Sequence, residues 1–282
     1  MDQPSTDMTG EVQNGKAEQP GLEFSAQTPE IVLEYYPADI GVLAWLQVVG
    51  GFFLFFNCWG VVLSFGAYQS YYTSASSFPA YTQSDISWIG SIQAFLLLFG
   101  GALCGRPYDA GYLRTLVITG GVLMVVGQMM ASLAKQYWQA LLSQGVCVGL
   151  GCGCLLVPSL AAGSTWFVKR RGQALACITT GAAIGGAAFP IATQRLIDEI
   201  GFPWAIRVSG FLTLASVVIS LCLLRPRLPP RKRGALFEIR ALGEPEILIY
   251  SCGMFCAMSG FYVFYNYVQD VMLPLQYLQW NS

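Results

Sequence analysis

The sequence predicts an all-α polytopic membrane protein, and three observations carry that prediction. Charged residues make up 11% of the 282 positions and apolar ones 54%, against roughly 25% charged in ordinary soluble domains. Seven long stretches carry no charge at all: 41–84, 86–105, 115–134, 136–168, 172–194, 208–224 and 247–269. None alternates strictly between apolar and polar residues, so they read as helices rather than barrel strands. A hydrocarbon core of about 30 Å takes roughly 20 helical residues to cross. One buried helix of a soluble protein can explain one such stretch, but not a series of them.

The elements follow in chain order. Residues 1–40 hold eight acids and one base, Lys16. They are rich in Gln, Pro, Gly and Ser and read as a disordered acidic tail, without the positive-then-apolar pattern of a signal peptide. Span 1 is expected at 42–67. The following residues, Tyr68 to Ser84, are rich in Tyr, Ser and Thr, contain Pro79 and read as an external loop. Spans 2 to 6 are expected at 86–105, 115–134, 138–162, 173–195 and 203–224, with Pro158 and Pro190 bending spans 4 and 5 near one end. Residues 225–246 carry four prolines and six bases and read as a basic linker. A seventh span is expected at 247–269, followed by a short tail at 270–282.

Orientation follows from the Lys/Arg asymmetry of the connections. With the N-terminus inside, twelve bases fall on the cytoplasmic side and three, Lys135, Arg195 and Arg207, outside. The expected location is therefore a membrane crossed many times, the plasma membrane, with a cytoplasmic N-terminus. Arg207, near the outer end of span 6, is expected to snorkel outward.

Composition also excludes chemistry. The chain has no histidine, which removes Ser-His-Asp and Cys-His catalysis and every His-ligated metal site. The nine cysteines all sit in apolar spans and read as small apolar packers. Neither a metal site nor a cofactor is expected, and no catalytic residue can be named. The bases sit in short clusters between apolar runs, not along one stripe, so nucleic acid is not an expected partner. The lipid bilayer is.

Three sets of residues carry candidate function. The turn between spans 2 and 3 holds Gly105, Arg106, Asp109, Gly111 and Arg114 in a Gly-Arg-x-x-Asp-x-Gly-x-x-Arg spacing. Small residues let two helices meet there, and the charges can latch one conformation and release it in another. The plain alternative is a basic inside turn. Gly145, Gly149 and Gly153 in span 4, and Gly181 and Gly185 in span 5, form small-residue ridges. They serve either a sliding helix pair or static close packing. In-span polar side chains are costly and often functional. Asn57, Gln93, Gln144, Thr179, Thr180, Tyr262, Tyr265 and Asn266 are the candidates for a substrate path, with interhelical hydrogen bonding as the alternative for each.

Taken together, these features resemble the monocarboxylate-transporter branch of the major facilitator superfamily, in its fungal form. The resemblance runs from about Asp39 to Asn266. It rests on Asp39-Ile-Gly41 with Ala44-Trp45, Ser64-Phe-Gly66 with Tyr71-Tyr72, and Ile86-Ser-Trp88-Ile-Gly90. It rests also on the 105–114 motif, Tyr137-Trp138-Gln139, Gln144-Gly145, Lys169-Arg170-Arg171, Gly201-Phe202-x-Trp204-Ala-x-Arg207 and Arg225-Pro-Arg227-Leu-Pro-Pro230. It implies the N-terminal six-helix half of a major facilitator bundle plus one further transmembrane helix. It also implies secondary transport of small organic acids or secondary metabolites, by uptake or efflux. On that pattern the chain reads as truncated after the seventh span, so self-association or a missing C-terminal half would complete it. The alternative reading is a truncated non-transporting relic or a regulatory half-transporter.

Overall fold

The computed structural model describes residues 41–74, 81–167, 169–226 and most of 247–260. All lie within one compact unit, Pro37–Ser282. Six helices are long and apolar enough to cross a membrane: Val42–Thr73, Gln83–Asp109, Leu113–Ala131, Tyr137–Trp166, Arg171–Ile200 and Phe202–Leu223. These are spans 1 to 6. Among the described residues there is no strand, and helices of this length satisfy their own backbone groups in hydrocarbon. Residues 247–254 are helical, with Ile247 to Tyr250 exposed. The tail 1–40, the linker from 227 to 246, and Tyr262, Tyr265 and Asn266 lie outside the described residues.

Spans 1 and 4 are the most buried. Span 1 packs most extensively on span 5, and also on spans 4 and 6; span 4 packs on spans 2, 3 and 1; span 3 packs on span 6. The bundle is thus built around spans 1 and 4.

Two ends of the bundle can be told apart. At one, the ring of Trp45 meets Phe167 edge-on at 5.5 Å, joining the start of span 1 to the end of span 4. Gln47 there donates to the Leu223 carbonyl and accepts from the Arg225 N–H, both at 2.8 Å, joining span 1 to the end of span 6. At the other, Tyr71 stacks on Phe202 at 4.1 Å, and the Tyr137 hydroxyl donates to the Asp85 carbonyl at 2.8 Å. Among the described residues six bases sit at the first end (Arg106, Arg114, Lys169, Arg170, Arg171, Arg225) and three at the second.

Span 1 does not stop where a loop was expected. After a bend at Ser64, whose hydroxyl bonds back to the Gly60 carbonyl at 2.8 Å, the helix continues as Phe65–Ser74. The reason is packing. Tyr68 and Tyr72 are buried, and both rings meet Phe202. Aromatic burial of this kind outweighs the loop-like composition of the segment. Span 2 then begins with a capping box: Thr82 N–H donates to the Asp85 carboxylate at 2.9 Å and Asp85 N–H to the Thr82 hydroxyl at 3.3 Å.

Span 4 departs from a regular α-helix. It opens as Tyr137–Ala140, widens into a π-helical stretch at Leu141–Val148, and resumes as Gly149–Trp166. A π-helical stretch is costly to hold and concentrates at functional sites. Gln144 and Gly145 lie inside it.

Candidate functional site

The glycines bring backbones into contact. A Cβ on Gly145 would meet the Ile89 carbonyl oxygen at 3.3 Å, on Gly149 that of Gln93 at 3.0 Å, and on Gly153 that of Leu96 at 2.9 Å. The three therefore ride along span 2 in register. On the other side of the bundle a Cβ on Gly181 would meet the Phe52 carbonyl oxygen at 2.7 Å, and on Gly185 that of Phe56 at 2.4 Å. Spans 2 and 4, and spans 1 and 5, thus meet main chain to main chain.

Spans 2, 3 and 4 also carry buried amides. Gln93 on span 2 and Gln144 on the π-helical part of span 4 are fully buried, and among the described residues neither the nitrogen nor the oxygen of either amide has a hydrogen-bond partner. Leaving such groups unpaired in a low-dielectric interior costs on the order of 1–3 kcal/mol each. Gln128 on span 3 is in the same condition and lies against Gly210 of span 6.

Asn57 occupies a different environment. Its Nδ2 donates to the Ser216 hydroxyl at 2.6 Å, which places it in the seam between spans 1 and 6. That seam is polar along its length. Ser220 donates to the Gly50 carbonyl at 3.0 Å. Ser209, Thr213, Ser216 and Ser220 are all buried on one face of span 6. Thr179 and Thr180, by contrast, are exposed on span 5, with hydroxyls bonded back to the Ala176 and Cys177 carbonyls at 3.0 and 2.7 Å. Their own helix satisfies them. Arg207 is half-buried; its Nε donates to the Ser132 hydroxyl at 3.1 Å and its guanidinium sits 5.0 Å from the Trp204 ring centre, and both partners lie nearer than Arg207 to the end where span 6 begins, the direction in which it was expected to snorkel. A ring face and a hydroxyl at the end of span 3 hold the charge beside the protein.

The 105–114 motif caps a cavity of about 280 Å³ at the basic end. Gly105, Tyr108, Asp109 and Gly111 line it from one side, Thr165 and Trp166 from span 4, and Arg225 from the end of span 6. Gly111 closes span 2. At φ 90° it sits in the left-handed region, and its N–H donates to the Tyr108 carbonyl at 2.9 Å while Tyr112 N–H donates to that of Pro107 at 3.0 Å. This 5→2 and 6→1 pair is a Schellman motif, which uses glycine at that position. Arg106 is half-buried; Asp109 and Arg114 are exposed.

Sequence reasoning named Asn57, Gln93 and Gln144 but passed over Gln47, Gln128, Thr193 and the span 6 hydroxyls. Gln47 and Gln128 lie in uncharged runs just as Gln93 does, so the same criterion reaches them. The 4-3-4 spacing of residues 209, 213, 216 and 220 was a readable helical stripe.

A bundle of apolar helices meeting at glycine seams, with buried unpaired amides and a basic end, defines a polytopic α-helical membrane protein. Residues 44–276 match the family model of the Major Facilitator Superfamily, and the chain belongs to that family. It is similar to the MFS-type transporter dbaD of Emericella nidulans, 42% identical over 228 residues, which covers 81% of this chain and 51% of that one. It is similar to an MFS-type transporter of Gibberella zeae, 41% identical, covering 86% and 56%. It is also similar to the Fujikurins efflux protein of Gibberella fujikuroi, 40% identical, covering 86% and 51%. The chain spans about half the length of these relatives. A crystal structure of the peptide transporter POT with alafosfalin shares the fold, with a TM-score of 0.59 at 15% identity over 89% of this chain and 55% of that one.

Proposed function

We propose that this chain serves secondary transport of small organic acids or secondary metabolites across the plasma membrane, in the manner of a fungal monocarboxylate porter, with its N-terminus and its basic end in the cytosol. The observation that carries the reading is the pair Gln93 and Gln144. Two fully buried amides without partners among the described residues lie on spans that meet through backbone. In hydrocarbon such groups are expensive, and they are retained where a polar solute uses them. An organic acid or an oxygen-rich metabolite offers both acceptors for the amide nitrogens and, where hydroxylated, donors for the amide oxygens. The efflux protein among the relatives supports a metabolite cargo. The six bases gathered at one end support the orientation, because cytoplasmic connections carry the Lys/Arg excess. The cavity under the 105–114 motif supports a latch there, since the turn, span 4 and the end of span 6 all border one space.

The test is flux. Purified chain reconstituted in vesicles is loaded with a labelled monocarboxylate. Flux above that of empty vesicles, lowered in Gln93→Ala and Gln144→Ala, is the expected result. Flux equal to empty vesicles overturns the reading and favours a non-transporting half.

A further inference from the structure

We propose that Cys104 and Cys154 are a redox-modifiable pair, two thiols on separate spans placed to be joined by a hydroperoxide. Cys104 lies in the last turns of span 2 and Cys154 in span 4, fifty residues away, yet their sulfurs stand 3.6 Å apart. Both are free thiols. A disulfide also needs backbones close together, with Cα atoms no more than about 6.8 Å apart. The glycine seam provides such closeness at this level. A Cβ on Gly153, the neighbour of Cys154, would lie 3.0 Å from the Cα of Gly100, which is one turn before Cys104.

The pair is selected among its neighbours. Cys58 and Cys152 also approach each other, but the Cys58 thiol donates to the Cys152 carbonyl oxygen, 3.4 Å away. Cys147 is likewise turned onto a carbonyl, that of Leu123, at 3.2 Å. Among the described residues no group of three or more His, Cys, Asp or Glu side chains is arranged to hold a metal ion, so a dithiol reaction and not metal capture is the chemistry this arrangement suits. The cavity at the basic end comes close to the pair along both helices. Gly105 and Val157 line the cavity at the basic end; the first follows Cys104 directly and the second is one turn past Cys154, which is itself only half-buried.

The step balances with hydrogen peroxide as oxidant. One sulfur, as thiolate, attacks a peroxide oxygen; the O–O bond breaks, water leaves, and a sulfenic acid remains. The second thiol displaces the sulfenic oxygen as a second water and the S–S bond forms. Two thiols are oxidised by two electrons, and one peroxide is reduced to two waters. Thiol reductant reverses the change by exchange. The bond ties span 2 to span 4 beside the 2–3 turn. This assignment does not rest on transport, and its test does not measure transport.

The full chain in detergent is exposed to hydrogen peroxide, quenched in acid, denatured and alkylated with N-ethylmaleimide, and its peptides are analysed by mass spectrometry. Cys104 and Cys154 are expected to leave the alkylatable pool together, to appear in one peptide pair joined by a disulfide, and to return on treatment with dithiothreitol. In Cys104→Ser no disulfide forms at residue 154. The proposal is overturned if both thiols stay alkylatable at exposures that oxidise the exposed Cys177 and Cys222, or if either joins a different cysteine.

Discussion

Asn57 and Ser216 are 159 residues apart in sequence and share a 2.6 Å hydrogen bond between the faces of spans 1 and 6. Asn57 is fully buried, and the Ser216 hydroxyl in turn donates to the Leu212 carbonyl at 2.7 Å. Removing the hydroxyl in Ser216→Ala strands the amide nitrogen in an apolar interior. The expected loss is about 1 kcal/mol of stability, and a double-mutant cycle with Asn57→Ala should return a coupling of about 0.6 kcal/mol, the average for such pairs in a membrane protein. Thermal unfolding in detergent measures both. Additive single-mutant effects would show that the bond contributes nothing.

The glycine seams predict a graded series. Gly185→Val places carbon against the Phe56 carbonyl oxygen, where even a Cβ would approach to 2.4 Å, and Gly149→Val does the same at the Gln93 carbonyl oxygen. Backbone cannot yield as a side-chain tip can, so each should cost at least the 1–3 kcal/mol typical of overpacking, with Gly185→Val the more severe. Among the described residues a Cβ on Gly105 or Gly172 would meet nothing within 4 Å, so Gly105→Ala and Gly172→Ala should not destabilise, alanine being the better helix former. Monodisperse yield after detergent extraction separates the two groups.

The fold was legible because its signal is composition summed over long windows. An uncharged run of twenty residues admits few alternatives in water or lipid. Features decided by neighbours were not legible. Tyr68 looked like loop because Tyr, Ser and Thr surround it, yet Phe202 on another span turns it into core. The π-helical register at Leu141–Val148 has no Pro or charge to announce it. Gln93 and Gln144 could be named as buried amides from their runs, but Thr179 could not be told from them. Whether a hydroxyl bonds back to its own helix depends on which face it occupies. The contact between Cys104 and Cys154 required the inter-span register, which the packing of spans 2 and 4 along the glycine seam sets.

The turn after span 2 predicts a backbone effect. Gly111 holds φ 90° in its Schellman motif, a region that costs a residue with a Cβ roughly 1–2 kcal/mol. Gly111→Ala should destabilise by about 1 kcal/mol, and Gly111→Asn, which tolerates the left-handed region better, by less. Unfolding midpoints of the two variants check the order; equal values would mean that strain is not the cause.

The unpaired amides predict opposite signs for stability and function. Replacing Gln144 or Gln93 with Met keeps a similar volume and removes a nitrogen and an oxygen that lack partners among the described residues. Swapping an unsatisfied polar group for an apolar one of like shape is neutral or stabilising, so Gln144→Met and Gln93→Met should raise the unfolding midpoint, each by the equivalent of about 1 kcal/mol. A path that recognises polar solute through those amides should lose flux in the same variants, the trade between stability and activity expected at a functional site. Measuring unfolding and vesicle flux on the same preparations decides the matter. Lowered stability would place an unseen partner on each amide, and unchanged flux would remove both residues from the path.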